Sequence, residues 1–355
     1  MKTLLISLFI AITFIACQGP VPKQQETAST SSADQQKDQN LLNAARNFFQ
    51  PLPLVAENAE NPITPEKVNL GKLLYYDTHL SKAGKNSCNS CHNLATYGVD
   101  NKPTSTGDAG KNGERNSPTV LNAALHTTQF WDGRAKDVEE QAGMPIMNPV
   151  EMAIPHKDFL VNRLASLPVY KEEFSKAFPA DKNPVTFENL QKAIAAFERT
   201  LITPSKFDKF LGGDLAALTA EEKKGLQSFM DEGCTTCHNG PVLGGNMFMK
   251  FGLVADYHAL TGSNTKDEGR KNVTKQESDK DMFKVPGLRN ITETYPYFHD
   301  GSVAELDKAI QIMSKVQMNK ELSADQLNSI IAFLKTLKGE VPEDAKKIPD
   351  LLVQK

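Results

Sequence analysis

The sequence predicts a mainly α-helical protein with two tandem domains. The stretch SCNSCHN at 87–93 returns as GCTTCHN at 233–239, so each half of the chain carries one Cys-x-x-Cys-His motif. A segment with helical periodicity precedes each motif and another closes each half, whereas the alternation that predicts β-strands is scarce. The order of helix, motif, loops and closing helix therefore occurs twice in the sequence, which indicates two copies of one fold unit.

The chain begins with a predicted export signal. Lys2 precedes an apolar run at 4–15, which is shorter than the ~20 residues that a membrane helix needs. A cysteine directly after FIA predicts a lipoprotein signal peptide over 1–16 and acylation of Cys17. Phe14 stands where leucine is usual, so ordinary signal cleavage is the alternative.

The next segment is poor in apolar residues. Residues 18–40 read QGPVPKQQETASTSSADQQKDQN, with Val21 as the one large apolar side chain. Such a segment buries too little surface to offset its conformational entropy. The sequence therefore predicts a flexible tether over 17–48.

The net charge and the cysteine count indicate the cellular compartment and argue against one class of partner. The formal net charge is −3, and loss of Lys2 with the signal makes it −4, from 39 basic and 43 acidic residues. A nearly neutral chain argues against binding of nucleic acid. The five cysteines divide into one acylated residue and two pairs, which leaves no free thiol. This suits an oxidising, periplasmic side of the cell envelope.

Capping residues mark where the framing helices begin. Thr64 precedes a proline and an apolar stripe, and a helix predicted at 186–201 closes the first half. Thr219 opens the second half with a capping box, and a helix at 323–339 closes it. The predicted boundaries are 49–201 for the N-terminal domain, with 339–355 completing it, and 202–338 for the C-terminal domain.

Each Cys-x-x-Cys-His motif is a c-type haem attachment signal. Two thiols add to the vinyl groups at one haem edge, and the histidine ligates the iron. A redox CxxC pair does not need a histidine in both copies, and a zinc knuckle needs paired ligands, whereas the copies lie 146 positions apart (234 − 88). The sequence thus predicts two cytochrome c-like domains, with one haem c on Cys88, Cys91 and His92 and the other on Cys234, Cys237 and His238.

Two longer segments resemble the bacterial di-haem cytochrome c peroxidases. They are FWDGRAKDVEEQAGMPIMNPVEM at 130–152 and FKVPGLRNITETYPYFHDGS at 283–302, and the likeness extends from about 61 to 337. The resemblance implies an enzyme that reduces hydrogen peroxide to water at its N-terminal haem. It also implies that the C-terminal haem stores electrons and passes them on.

The resemblance also assigns the catalytic residues. It makes Glu151 the catalytic carboxylate, Gln141 its amide partner and Trp131 the aromatic bridge between the haems. A carboxylate suits the reaction, because peroxide must lose a proton to bind and its far oxygen must gain one as the O–O bond breaks. By itself, Glu151 also fits a residue that merely caps or solvates a loop.

The same resemblance gives the second haem a sixth ligand, Met313. A thioether opposite histidine raises the reduction potential, which suits an electron reservoir. From the residues alone, Met247, Met249 and Met282 are rival ligands, and Met313 also fits core packing on an apolar helix face.

A calcium site between the domains is implied as well. The resemblance assigns it to the side chain of Asn116 and the carbonyls of Thr294 and Pro296, with His299 beside it. All three ligands offer hard oxygen donors, and water would complete the shell.

One position departs from the resemblance. Many family members carry a histidine in the loop after the first haem motif, which closes the peroxide site until the second haem is reduced. Asp108 stands there in this chain, and a carboxylate replaces a strong nitrogen ligand poorly. We hypothesise that the oxidised site is open. Gly110 and Gly113 indicate a mobile loop, so His126 as a substitute is the alternative.

The implied partners follow from this interpretation. Electrons come from a small cytochrome c or cupredoxin, Cys17 anchors the protein to a membrane, and homodimers are common in the family. Two other functions remain open: a di-haem oxidase that acts on a protein side chain, whose second haem is ligated by tyrosine, and a non-enzymatic two-haem electron carrier.

Overall fold

The computed structural model describes residues 32–353. The predicted signal peptide, Cys17 and the first part of the predicted tether lie outside these residues. Within 32–353 no helix is both long and apolar enough to cross a membrane.

Fifteen α-helices and one two-stranded sheet are found in the described chain. The helices up to the end of the first half are α1 (Ser32–Arg46), α2 (Pro65–Tyr76), α3 (Cys88–Cys91), α4 (Val138–Met147), α5 (Lys157–Ala165), α6 (Pro168–Ala177) and α7 (Phe187–Glu198). Those that follow are α8 (Lys206–Leu211), α9 (Ala220–Asp231), α10 (Tyr257–Thr261), α11 (Lys271–Thr274), α12 (Leu306–Met318), α13 (Ala324–Lys335), α14 (Glu343–Lys346) and α15 (Asp350–Val353). The antiparallel strands are β1 (Phe248–Lys250) and β2 (Met282–Lys284).

Helix α1 corrects the predicted tether. Residues 32–46 are helical, and Leu41, Leu42 and Ala45 are buried on one face of the helix. They pack in a core with the phenylalanines of α8 and α9. The prediction of flexibility is wrong here because the low hydropathy of 18–40 does not extend to these apolar residues, which recur at helical spacing just after it.

The predicted capping residues are confirmed. The Thr64 hydroxyl accepts a hydrogen bond from the backbone N–H of Lys67 at 3.3 Å and begins α2. Thr219 with Glu222 begins α9 through a capping box. A third helix start, also a capping box, lies at Ser323 before α13.

The two halves repeat one helix crossing. Helix α2 crosses α7 at Gly71, where a Cβ would lie 1.9 Å from the Ala193 carbonyl oxygen. Helix α9 crosses α13 at Gly225, where a Cβ would lie 1.8 Å from the Ser329 carbonyl oxygen. In both places the nearest atom of a second residue is a phenylalanine Cβ, at 2.9 Å. Only glycine allows the helix backbones to approach this closely, and each crossing fixes the helix that leads into a haem motif.

The C-terminal segment returns to the first half of the molecule. The Lys72 ammonium pairs with the Asp344 carboxylate at 2.9 Å, and the Tyr76 hydroxyl donates to the Ala345 carbonyl at 2.8 Å. Val341 and Ala345 are buried beside the tyrosines of α2. Residues 341–345 therefore cover the outer side of α2.

Alanine at either crossing glycine should destabilise the protein. We expect Gly71→Ala and Gly225→Ala each to lower the free energy of unfolding by about 2 kcal/mol, because the new methyl group must push two helix backbones apart. Denaturant unfolding measures the change. Gly113→Ala is the matched control, since its nearest neighbour would be 3.8 Å away. Equal midpoints for all three variants would contradict the role of the crossings.

Candidate functional site

The first haem motif forms a single helical turn. Cys88 and Cys91 are the first and last residues of α3, which a capping box between Ser87 and Ser90 begins. Cys88 packs against the apolar cluster that contains the tyrosines of α2, and neither thiol is in a disulfide. The Tyr75 hydroxyl donates to the backbone carbonyl of His92 and holds the residue after the turn.

Both motif histidines are held in the orientation that iron needs. The Nδ1 atom of His92 lies 3.0 Å from the Pro118 carbonyl, and that of His238 lies 3.1 Å from the Leu243 carbonyl. A carbonyl only accepts, so Nδ1 carries the proton and Nε2 keeps its lone pair for a metal. Burial lowers the pKa of both imidazoles, which keeps them neutral. The residues present thus fit haem c.

A cavity surrounds the second motif, and we call it the large cavity because many more residues line it than line the cavity beside Glu151. Its volume is about 400 Å³, within the range of cofactor pockets. Cys234, Cys237 and His238 border it, and Met313 reaches it from α12. Of the rival methionines only Met249 lines the same cavity, while Met318 is a further sulfur that sequence reasoning did not consider. The rest of the lining is predominantly apolar.

Glu151 lies in a turn just after α4. Its Oε1 accepts a hydrogen bond from the side-chain amide of Asn148 at 2.7 Å. Burial raises the pKa of Glu151, although Asn148 and the Arg134 guanidinium oppose this. The carboxylate borders a second cavity, of about 490 Å³, whose lining includes the basic side chains of Arg134 and Lys157.

Asn148, rather than Gln141, is the amide that contacts Glu151. Gln141 lies on α4 and is not among the residues that line the cavity beside Glu151. Sequence reasoning missed Asn148. The signal was present, because an asparagine that ends a helix and precedes a turn by two or three residues commonly bonds within that turn.

Asp108 is buried and engaged by backbone groups. Its carboxylate accepts hydrogen bonds from the N–H groups of Ala83 at 2.6 Å and Lys85 at 3.1 Å. Against the effect of burial, these bonds lower the pKa of Asp108. Its own N–H donates to the Glu151 carbonyl at 2.7 Å. Asp108 therefore ties the loop to the Glu151 turn and offers no nitrogen ligand.

Trp131 connects the two halves. Its indole Nε1 donates to the Asn116 carbonyl at 2.9 Å, and its own carbonyl accepts from the Lys284 N–H at 2.7 Å. The indole lines the large cavity, and its ring centroid is 6.4 Å from that of His299.

The three predicted calcium ligands border the same cavity. They are Asn116, Thr294 and Pro296. The side chain of Asn101 braces the segment of the latter two by donating to the carbonyls of Glu293 and Tyr295 at 3.1 and 3.0 Å. His299, placed beside this site by sequence, is buried, and its Nε2 has no hydrogen-bond partner among the described residues. The Nε2 atom of His299 could therefore bond to a polar group that binds beside this site.

His126 pairs with a lysine that the sequence did not single out. Its Nδ1 lies 2.8 Å from the Lys284 ammonium, and its ring packs against Gly245. Both side chains line the large cavity. The two residues are 158 positions apart and belong to no motif, so no sequence signal joined them.

Comparisons with known proteins identify the family of this chain. A family model described as di-haem cytochrome c peroxidase matches residues 65–216, and a cytochrome c model matches 222–338. The cytochrome c551 peroxidase of Nitrosomonas europaea is 47% identical over 292 residues, which is 82% of this chain and 85% of that protein. The protein of the same name from Pseudomonas aeruginosa is 47% identical over 306 residues, or 85% and 87% of the two chains.

More distant relatives carry another name. The methylamine utilization protein MauG of Methylorubrum extorquens is 32% identical over 348 residues, which covers 94% of this chain and 96% of that protein. Among solved structures, a MauG-like protein associated with microbial copper homeostasis superposes with a TM-score of 0.72 at 28% identity, over 84% of this chain and 97% of that one.

Substitution of Met313 tests the sixth ligand. We expect Met313→Leu to abolish the far-red absorption band that a thioether gives on ferric haem and to lower the reduction potential, because the electron-poor thioether favours the reduced iron. Optical spectra of the oxidised protein measure this. Met249→Leu and Met318→Leu alter other sulfurs of the same cavity and should keep the band. Its survival in Met313→Leu would exclude Met313 as ligand.

Proposed function

The chain belongs to the di-haem cytochrome c peroxidase family of oxidoreductases, and we propose that it reduces hydrogen peroxide at the haem of His92 with electrons relayed from the haem of His238. The family resemblance, the tandem helical fold and haem c as cofactor are confirmed by the family models and the peroxidase relatives. The overall reaction consumes one peroxide, two electrons and two protons and yields two waters.

The observation that carries the proposal is the half-buried carboxylate of Glu151 beside the second cavity. Haem iron held by Nε2 of His92 would supply the redox chemistry. Glu151 would take the proton that peroxide loses on binding and return it to the far oxygen as the O–O bond breaks. Burial raises the pKa of this carboxyl, which makes it a better proton acceptor than an exposed glutamate.

Asn148 positions the carboxylate for this exchange. Its amide donates to Oε1 at 2.7 Å, which leaves Oε2 to accept and release the proton. Arg134 is held in turn by the Asp132 carboxylate at 2.9 Å, so its positive charge stays near the site. Gln141 remains a predicted partner, as a residue that would approach only when peroxide is bound.

Electrons would cross between the halves by Trp131. The indole is fixed by its bond to Asn116, and its backbone is fixed by Lys284, so the ring is rigid at the boundary between the two halves. Met313 opposite His238 would keep the second haem at high potential. Calcium at Asn116, Thr294 and Pro296 would hold this boundary in register.

The proposed donor is a small cytochrome c or cupredoxin. Leu253 lines the large cavity and yet is 55% exposed, and its neighbour Val254 is 54% exposed. An apolar surface patch beside the cavity that would hold a haem suits a transient, weakly polar contact with a carrier. We further propose a periplasm-facing location, a lipid anchor at Cys17, and a homodimer.

The MauG relatives favour a second candidate, oxidation of a protein side chain. That chemistry is expected with a tyrosine ligand on the second haem. Tyr297 lines the large cavity, but its hydroxyl donates to the Ile291 carbonyl at 3.2 Å. Met313 lines the cavity without such a hydrogen bond, which favours methionine as the ligand and the peroxidase as the function.

Glu151→Gln tests the acid/base role. We expect turnover with peroxide to fall about 100-fold or more, because the amide cannot exchange a proton. Steady-state kinetics measure this, with unchanged haem spectra as evidence of folding. Glu140→Gln is the matched control, since Glu140 is an exposed carboxylate on the wall of the same cavity. Undiminished turnover of Glu151→Gln would exclude the role, and a wild-type protein that never consumes peroxide would favour a simple electron carrier.

The hydrogen bonds of Asp108 predict that the fully oxidised enzyme reacts with peroxide without prior reduction. Because this carboxylate is bound to backbone N–H groups, we expect a high-spin first haem and peroxide consumption without prior reduction. Electron paramagnetic resonance of the fully oxidised protein, before and after peroxide, measures both. Two low-spin haems that stay inert until one electron is added would show that another residue closes the site.

A further inference from the structure

Lys284 is a buried cation for which the described part of the chain provides no counter-ion. Its side chain lies on β2, the residue is 6% exposed, and its Nζ atom is 2.8 Å from Nδ1 of His126. The ion pairs among residues 32–353 include no carboxylate partner for Lys284. Since a buried charge is costly unless an anion or several dipoles offset it, the absence of a partner calls for an explanation.

The protonation of the pair can be assigned. Burial lowers the pKa of Lys284 to about 8. Burial and then the neighbouring ammonium lower the pKa of His126 well below its usual value. At neutral pH the lysine therefore donates and the imidazole accepts. His126 fixes the direction of the ammonium but supplies no negative charge.

The charges on the wall of the large cavity, as far as residues 32–353 form it, are all positive. Lys284 and His126 both line it, and the described lining residues include no aspartate or glutamate. The other permanent cation of the wall, Arg289, is already satisfied by two bonds to the Asp208 carboxylate at 2.6 and 2.9 Å. The cavity thus offers one unneutralised positive charge to whatever occupies it.

Haem c brings the missing anion. Its edge opposite the vinyl groups carries two propionate carboxylates, and the vinyl edge is where Cys234 and Cys237 would attach. We propose that Lys284, positioned by His126, pairs with a propionate of the haem bound to Cys234 and Cys237 and thereby holds the reduction potential of that haem up. The inference rests on the proposed assignment of this haem, not on peroxide turnover.

The effect on potential follows from charge. Reduction adds one electron to the haem, and a nearby cation in a dry cavity stabilises the reduced form more than the oxidised one. The same ammonium offsets the propionate, which otherwise disfavours reduction. Lys284 also bonds through its backbone to Trp131, so it lies at the point where electrons would leave the second haem.

The first experiment is a potentiometric titration of the haem-loaded protein, followed by the absorption band of the methionine-ligated haem. In Lys284→Gln we expect the equilibrium constant for one-electron reduction of this haem to fall at least about tenfold, which is a shift of about 59 mV. Lys284→Arg keeps the charge and should stay near the wild type. Lys335→Gln, which removes an exposed lysine outside the cavity, should change nothing.

Two outcomes would overturn the proposal. One is an unchanged potential in Lys284→Gln, and the other is an equal fall in Lys284→Gln and Lys284→Arg, which would indicate a steric effect rather than a charge. Neither outcome depends on turnover of peroxide. A wild-type protein that consumes no peroxide would end the peroxidase proposal and leave this one standing.

Resonance Raman spectroscopy gives an independent readout, because the propionate bending frequency reports hydrogen bonding to the carboxylate. We expect it to shift in Lys284→Gln and to stay constant in Lys335→Gln. If Lys284→Gln yields too little haem-loaded protein, His126→Gln serves instead, since it loses the ring that orients the ammonium. A propionate frequency unchanged in His126→Gln would also overturn the proposal.

Discussion

The hydrogen bond from each motif histidine to a backbone carbonyl is the constraint on which both haem sites depend. A Cys-x-x-Cys-His turn fixes where the haem is attached, but the imidazole ligates iron only if its Nδ1 atom is held from behind. Pro118 and Leu243 supply those carbonyls from loops outside the motif turns. The loops that carry Pro118 and Leu243 therefore have to return to the histidines. Trp131 and β1 follow these loops along the chain, so their positions depend on the same two hydrogen bonds.

The buried ionisable groups around the sites are handled in three ways. Asp108 is neutralised by backbone N–H donors and ties one loop to another. Glu151 receives a single side-chain bond, from Asn148, and keeps a raised pKa, which suits a group that must change protonation state. Lys284 receives only a neutral imidazole, which leaves its charge for a ligand. The degree of compensation thus separates structural from functional charges.

The sequence predicted the parts of the fold that depend on local signals. Caps at Thr64 and Thr219 and the haem motifs need only a few neighbouring residues, so they could be read directly. Helix α1 was missed because the low hydropathy of 18–40 outweighed the few apolar residues after it, whose contribution comes from packing against α8 and α9. The pair of His126 and Lys284 was missed for the same reason, since the pair exists only after the chain has folded.

The two halves share a scaffold but differ in what the loops add to it. Each is built on a glycine crossing, at Gly71 and at Gly225, and each holds its histidine in the same way. In the second half, α12 follows the loops and brings Met313 to the cavity, so that Met313 and His238 could both hold a haem there. In the first half, the turn after α4 brings a carboxylate, Glu151, for which we propose an acid/base role. A haem with two protein ligands favours electron storage, while a haem beside a proton donor favours peroxide cleavage, so one duplicated scaffold could accommodate both proposed roles.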